Sequence, residues 1–423
     1  MNIFRLSLRN MTSRPLSTTL SILLLTLGVG LIALVLQVNR HIQEQMQNNV
    51  RGIDMVVGAK GSPLQLILSA VYHIDNPTGN IPLHEAEELE RNPMVASGIP
   101  LSYGDSYQGY RIVGTNHDYP ALYEATVAEG RLWQQSFEVT IGATMAANLD
   151  LQLGDTFVGA HGLVEGGETH GDHAYQVVGI LDYTNSVLDQ LILTATESVW
   201  EVHAHEEEGE EGHEEDHHDE HDGEAHEDEH EGHEEDHADH DDDREITAML
   251  VKFKNPLGIL RIPRMVNEDT SMQAAMPTYE ISRLFSLMGV GIDTLSMIAL
   301  VIMAVSGLSV FISLYNALKD RQYEMALMRT YGASRWQLVW LVIQEGLLLS
   351  LSGFILGMLF SRIGLWLVSG LMQSSYHYQF SGWIWVTEEA YLLVAALGIG
   401  LLASILPAIQ VFRINISKTL AHA

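Results

Sequence analysis

The sequence predicts a membrane α-helical protein with four transmembrane helices joined to an extracytoplasmic α+β domain. Three observations predict it: four apolar runs of bilayer length, a bias of Arg and Lys around them, and a long insert of strand-like segments between the first two runs.

A bilayer crossing needs about 20 apolar residues. The first run, Leu20 to Leu36, follows Arg5, Arg9 and Arg14 and is closed by Asn39 and Arg40. No small-residue cleavage site follows it, so it reads as an uncleaved signal anchor. The second run covers roughly Thr294 to Tyr315, the third Leu338 to Leu359, and the fourth Tyr391 to Phe412. Gly346, Gly353 and Gly357 in the third permit close helix packing. Arg362 and Asp293 are expected at the outer boundary, reaching water. Glu345 lies inside the third run, either in a functional role or paired with a basic neighbour.

Basic residues set the orientation. Arg5, Arg9 and Arg14 mark the start; Lys319, Arg321, Arg329 and Arg335 mark the link between runs two and three; Arg413 and Lys418 mark the tail. The link between runs three and four has none. Both termini and the second-to-third link are therefore expected in the cytoplasm of a bacterial inner-membrane protein. The expected segments are a cytoplasmic amphipathic helix at 1–17, spans at 18–38, 291–316, 338–371 and 389–412, and an external domain at 39–290. A coupling segment at 317–337, a short external loop at 372–388 and a tail at 413–423 complete the chain.

Within the insert, residues 41–100 mix amphipathic and loop signals. Beyond them come short strands at Tyr110–Val113, Phe137–Ile141, Tyr175–Ile180 and Leu191–Thr194, a short helix at Met145–Leu151, and a last strand at Ile246–Phe253. Between the last two strands sits a run unlike the rest. Residues 201–245 hold 25 Asp or Glu and one Arg, a charge of -24; the whole chain is -32, so the remainder is only -8. Such a composition cannot offset chain entropy by burial, and a disordered loop is expected. The acidity argues against nucleic acid as a partner.

The same run carries eleven of the chain's 20 histidines: His203, His205, His213, His217, His218, His221, His226, His230, His233, His237 and His240. Imidazole with carboxylate suits Zn(II), Ni(II), Co(II) or Cu(II), and plain charge would need no histidine. The spacing specifies no fixed tetrahedral set, so binding should be multivalent and modest per ion. It should weaken as pH falls through about 6.5, because a ligating imidazole must be neutral. His161, His170 and His173 form a smaller second candidate, equally readable as solvated loop residues. With no cysteine, thiolate sites and disulfides are excluded.

The link from Asp320 reads Asp-Arg-Gln-Tyr-Glu-Met-Ala-Leu-Met-Arg-Thr-Tyr-Gly-Ala-Ser-Arg-Trp-Gln-Leu. A short helix at Glu324–Thr330, ended by Gly332, would present Met325, Leu327 and Met328 beside Arg321, Glu324 and Arg329. That mixed surface suits a partner's groove, and equally an ordinary basic turn. The segment resembles the signature of MacB/FtsX/LolC-type (type VII) ABC transporter permeases. Arg321, Glu324, Leu327, Arg329, Gly332, Ala333, Ser334 and Gln337 fall on that pattern within one position. Ser7–Asn10 with Arg14-Pro15 resembles the family's N-terminal helix. Val113-Gly114, Glu129–Arg131, Ile141-Gly142, Gly154-Asp155 and Val177–Ile180 resemble its MacB-type periplasmic core domain. Leu406–Arg413 resembles its last segment, although Asn415-Ile416 stands where the family often has Asp-Pro.

The resemblance implies a pair of permease copies in membrane lipid, each docking a separate cytoplasmic ABC ATPase through Arg321, Glu324, Leu327, Arg329, Gly332, Ala333 and Ser334. ATP would bind that partner, and no intrinsic cofactor or catalysis is expected here. The chain agrees: Gly58-Ala-Lys-Gly-Ser62 has the wrong spacing for a phosphate-binding loop. The expected function is ATP-driven mechanical work on the external side, tied to divalent metal, zinc foremost, with a periplasmic metal-binding or substrate protein as a further partner. Extraction of lipid-anchored proteins, or mechanical regulation of a periplasmic partner, are the competing readings.

Overall fold

The computed structural model describes residues 6–7, 9–10, 13, 15–161, 169–202, 244–376 and 387–412. They form two compact units, Glu44–Phe285 and Met1–Gln43 with Ser286–Ala423. The chain passes between them inside the first helix, α1 (Pro15–Val50).

Unit Glu44–Phe285 is built on a ten-stranded sheet. In β1 (Met55–Ala59) alternate side chains take opposite faces, as the pleat requires. Val56 joins a core with Leu66, Ile67 and Leu250, while Met55 and Val57 join one with Ile262 and Val266. Helix α2 (Pro63–Ala70) starts at Ser62, whose Oγ accepts from the Gln65 N–H, with Pro63 in its first turn. Next come β2 (Ile81–Pro82), α3 (Leu83–Glu90), β3 (Val95–Tyr107), β4 (Tyr110–Gly114) and α4 (Asp118–Leu122). Then follow β5 (Val127–Gly130), β6 (Glu138–Ile141), α5 (Ala143–Leu149), β7 (Thr156–His161), β8 (Thr169–Leu181) and β9 (Ile192–Thr194). A helix at 196–202, α6, precedes β10 (Glu245–Ile246), β11 (Ala248–Phe253), α7 (Pro256–Asp269) and β12 (Met272–Ala275).

The strand order is β12-β1-β11-β3-β4-β9-β6-β8-β5, with β7 bonded to β3 and β8, and β10 paired apart with β2. Only β4–β9 and β6–β8 run parallel among the described pairs. A third core, around Tyr110, Ile141, Met145 and Tyr175, fills the β6–β8 end under α5.

Two findings depart from the sequence pattern. Residues 41–100 hold real sheet: β1, β2 and the first half of β3 lie there. Gly98, Pro100 and Gly104 make β3 read as turns, yet Pro100 sits opposite Met249 in a ladder to β11 that is continuous from Ser97 to Leu101. Helix α5 is displaced two residues toward the N-terminus from Met145–Leu151, because Asp150 in the left-handed region (φ 53°) stops it after Leu149.

The other unit holds α8 (Pro277–Asp320), α9 (Gln322–Thr330), α10 (Arg335–Tyr376) and α11 (Thr387–Phe412). Four helices, α1, α8, α10 and α11, are long and apolar enough to cross a membrane. α1, α8 and α10 overrun the expected spans, since helix-favouring polar residues such as Gln43, Glu44 and Gln45 continue the helix where the apolar run stops. Small residues bring α1 onto α10. A Cβ on Gly357 would stand 3.0 Å from Val29, and one on Gly353 2.6 Å from Leu25 Cδ2. Hydroxyl pairs join α1 to α8: Ser17 Oγ donates to Ser313 Oγ at 2.9 Å, and Ser21 and Ser309 lie 3.2 Å apart.

Substitution Gly357→Leu should therefore overpack the α1–α10 seam and cost about 1–3 kcal/mol. Gly398→Ala, where no described atom lies within 4 Å, should be neutral or stabilising by up to about 1 kcal/mol. Thermal unfolding of the detergent-solubilised chain measures both; equal melting temperatures for the two variants would refute the seam.

Candidate functional site

α9 is fixed at both ends. At its start Arg321 donates from one guanidinium nitrogen to the Asn10 carbonyl at 3.1 Å and to Ser13 Oγ, tying the turn to the N-terminal segment. At its end Gly332 adopts φ 96°. The Gly332 N–H donates to the Arg329 carbonyl at 3.1 Å and the Ala333 N–H to the Met328 carbonyl at 3.0 Å. That pair of bonds, with a left-handed glycine, is the Schellman stop. One residue on, a capping box starts α10: the Gln337 N–H donates to Ser334 Oγ at 3.2 Å, and the Ser334 N–H to Gln337 Oε1 at 2.8 Å. Gly332, Ala333, Ser334 and Gln337 thus build a rigid corner between α9 and α10.

The faces of α9 sort differently from the expectation. Met325 and Ala326 are buried, and Met325 packs in a core with Leu318, Leu338, Val342 and Val411. Met325 is therefore an anchor and is not presented to a partner. Leu327 is 38% exposed, Tyr323 47%, Tyr331 84% and Trp336 73%. With the exposed Glu324 and the half-buried Arg329, these form the outward surface. Sequence reasoning missed Tyr323, Tyr331 and Trp336; their apolar character at the edges of a basic link was the available signal.

Arg362 does not reach out to water. Its guanidinium is 19% exposed and donates to both carboxylate oxygens of Glu389, at 3.0 and 3.1 Å, with Glu389 1% exposed. Gln37 donates its amide to the same carboxylate. Glu345 is buried on α10 and Asp293 is exposed on α8.

In unit Glu44–Phe285 the histidine-rich candidates His203 to His240 lie outside the described residues. What is described is where that stretch is rooted. Trp200 Nε1 donates to the Glu245 carbonyl at 2.7 Å, and the Arg244 guanidinium lies 5.2 Å from the Trp200 ring centroid. The Leu83 N–H donates to the Arg244 carbonyl at 2.8 Å, beside the β2–β10 pair. The two ends of 203–243 are thus held at one place. His161 closes β7, and His170 and His173 lie in β8. Among the described residues no group of three or more His, Asp or Glu is arranged to hold a metal.

A buried polar cluster stands elsewhere in this unit. His73, at φ 54°, shares a hydrogen bond with the Tyr119 hydroxyl at 2.8 Å. The Tyr103 ring meets the His73 ring edge-on at 5.4 Å and carries the Arg111 guanidinium 4.7 Å from its centroid. Arg111 donates to the Asp75 carbonyl at 2.9 Å. Burial first, and the nearby Arg111 charge second, hold the His73 imidazole well below its ordinary value.

The geometry of four membrane-length helices with a sheet-rich unit between the first two defines a multi-pass membrane protein. Residues 296–416 match the family model described as FtsX-like permease C-terminal, and residues 18–213 match the MacB-like periplasmic core domain. The chain is an ABC transporter permease of the MacB/FtsX type. Among solved structures it is similar to the periplasmic region of MacB from Actinobacillus actinomycetemcomitans, at 11% identity and a TM-score of 0.32, covering 56% of this chain and 97% of that one. It is also similar to the extracellular domain of the noncanonic ABC-type transporter YknZ from Gram-positive bacteria, at 13% identity and a TM-score of 0.28, covering 52% and 98%. No curated protein is similar enough to this chain to count as a match.

Two outcomes follow. Ser334→Ala removes the cap of α10 and should cost about 1 kcal/mol in thermal unfolding; no change in melting would show that the capping box contributes nothing. For His73 the folded form resists the proton and the unfolded form does not, so its contribution is complete above about pH 6.5 and is lost as pH falls below it. The melting temperature should drop from pH 7.5 to pH 5, and His73→Asn, which tolerates the left-handed backbone, should flatten that slope.

Proposed function

We propose that two copies of this chain pair in the bacterial inner membrane, with both termini cytoplasmic, and that each docks a separate cytoplasmic ABC ATPase on α9. ATP-driven movement of the ATPases then works the extracytoplasmic unit mechanically. Permeases of this type work with a cytoplasmic ABC ATPase as their general kind of partner. The observation that carries the reading here is the construction of α9. Its inner face is anchored by Met325 and Ala326, its ends are closed by Arg321 and Gly332, and its outer face offers Tyr323, Glu324 and Leu327. A helix held this way transmits a push and does not absorb it. Among the motif residues, Glu324, Leu327 and Arg329 face the ATPase, while Arg321, Gly332, Ala333 and Ser334 keep the lever in shape.

The finer reading ties the extracytoplasmic work to divalent metal, with zinc the first candidate. Its support is chemical: eleven histidines among carboxylates at 203–243, inserted at one root on Trp200 and Arg244. The metal is captured there for the device or sensed by it, and nothing is catalysed.

The lever is tested by Leu327→Asp. ATPase retained with the purified permease should fall about tenfold or more, with the permease's own melting unchanged; full retention would sink the assignment. The metal reading is tested by deleting 203–243 and measuring zinc bound per chain. The intact chain should bind several ions at pH 7.5 and lose most of them by pH 5, since imidazole protonates near pH 6.5. Equal zinc with and without the segment would leave lipoprotein extraction or regulation of an external partner as the working alternatives.

A further inference from the structure

Two buried seams in the membrane unit end in polar residues that meet. On α1 the residues Leu25, Val29 and Ala33 are fully buried at a spacing of four, which keeps them on one face. The next position in that register is Gln37, 1% exposed. On α11 the buried residues Leu392, Ala396, Gly400 and Ala403 form the matching seam, and Glu389 stands one turn before them. Apolar residues would continue both seams at no electrostatic cost. Instead Gln37 donates its amide to Glu389 Oε1, while Arg362 of α10 donates to both oxygens of the same carboxylate. A carboxylate only accepts, so the Gln37 amide must turn its NH2 group inward.

The cost of this arrangement is informative. A buried ion pair returns little net stability, because desolvation consumes most of the attraction. What it does return is geometry, since the guanidinium and amide donors restrict where Glu389, and with it α1, can sit. The location adds to this. From Arg335, where α10 leaves the coupling corner, to Arg362 is about 40 Å of helix at roughly 1.5 Å per residue. The cluster therefore lies at the far end of the spans from α9. On α1, Gln37 precedes by six residues the point, Gln43, where that helix leaves the membrane unit.

Resting on the ATPase-driven reading above, we infer that Gln37, Glu389 and Arg362 form a clamp that carries movement of α10 and α11 to α1. Gln37 is its positioning residue: through it the charged pair grips α1, a helix that continues into the extracytoplasmic unit. The Arg362–Glu389 pair supplies the fixed point.

The chain has no cysteine, so a single Glu88→Cys on α3 takes one spin label per copy. The test uses the permease purified with its native ATPase in lipid nanodiscs. The label-to-label distance is compared without nucleotide and with Mg-ATP plus vanadate, alongside ATP hydrolysis and melting temperature. Gln37→Leu keeps volume and apolar burial, so melting should hold. The nucleotide-driven distance change should shrink roughly fivefold or more, while ATP hydrolysis continues. The pair Gln37→Glu with Glu389→Gln, one carboxylate and one amide exchanged, should recover part of the change, which restored packing alone would not do. Should Glu389→Gln fail to fold by itself, Gln37→Leu still decides. An undiminished distance change in Gln37→Leu overturns the clamp and leaves the ATPase-driven reading standing. No distance change in the unsubstituted complex overturns that reading, and the clamp with it.

Discussion

Helices in a lipid environment gain no hydrophobic advantage from meeting each other, and their association rests on how closely backbones approach. In this chain the approach is made at Gly353 and Gly357, where α10 lies against Leu25 and Val29. The rest of the membrane unit depends on that contact. It fixes which face of α1 is buried, and so places Gln37 within reach of Glu389. Toward its start the same register of α1 meets α8 through Ser17 and Ser21. The lower end of the unit is closed by a different device, the core of Met325, Leu338 and Val411 beneath α9. Close backbone packing above and a small apolar core below give the unit two fixed ends.

The extracytoplasmic unit obeys the rules of water-soluble sheets. Its central strands bury both faces, with Val56 on one side and Met55 and Val57 on the other. In the His73, Tyr103, Tyr119 and Arg111 cluster polar groups replace part of the core. Buried polar groups of this kind contribute specificity when satisfied and are costly when protonation adds charge. Protonation of His73 would add such a charge inside the core.

Much of this was legible in the residues. Hydropathy located the four membrane-length helices because the bilayer imposes a length rule that few alternatives satisfy. The motif around Arg321 pointed to the permease family, but not to what each residue does in the structure. Gly332, Ser334 and Gln337 turned out to shape the corner. A glycine followed by S-x-x-Q carried that information as a helix stop and a helix start. Strand β3 was hidden because Gly98 and Pro100 carry local turn preference that the ladder to β11 overrides, and Gly104 falls where the pairing with β4 shifts register. Arg362 was misplaced for a related reason. Its partner Glu389 lies on another helix, and no local pattern reveals a pairing across 27 positions.

The root on Trp200 and Arg244 has a consequence for how such a protein changes over time. Because the chain leaves and returns at one point, held by the Trp200–Glu245 hydrogen bond and the β2–β10 pair, the sheet senses neither the length nor the content of what is inserted there. Loop-closure entropy grows only logarithmically with length. The root is therefore a socket, where one inserted sequence can be exchanged for another without redesigning the fold that carries it.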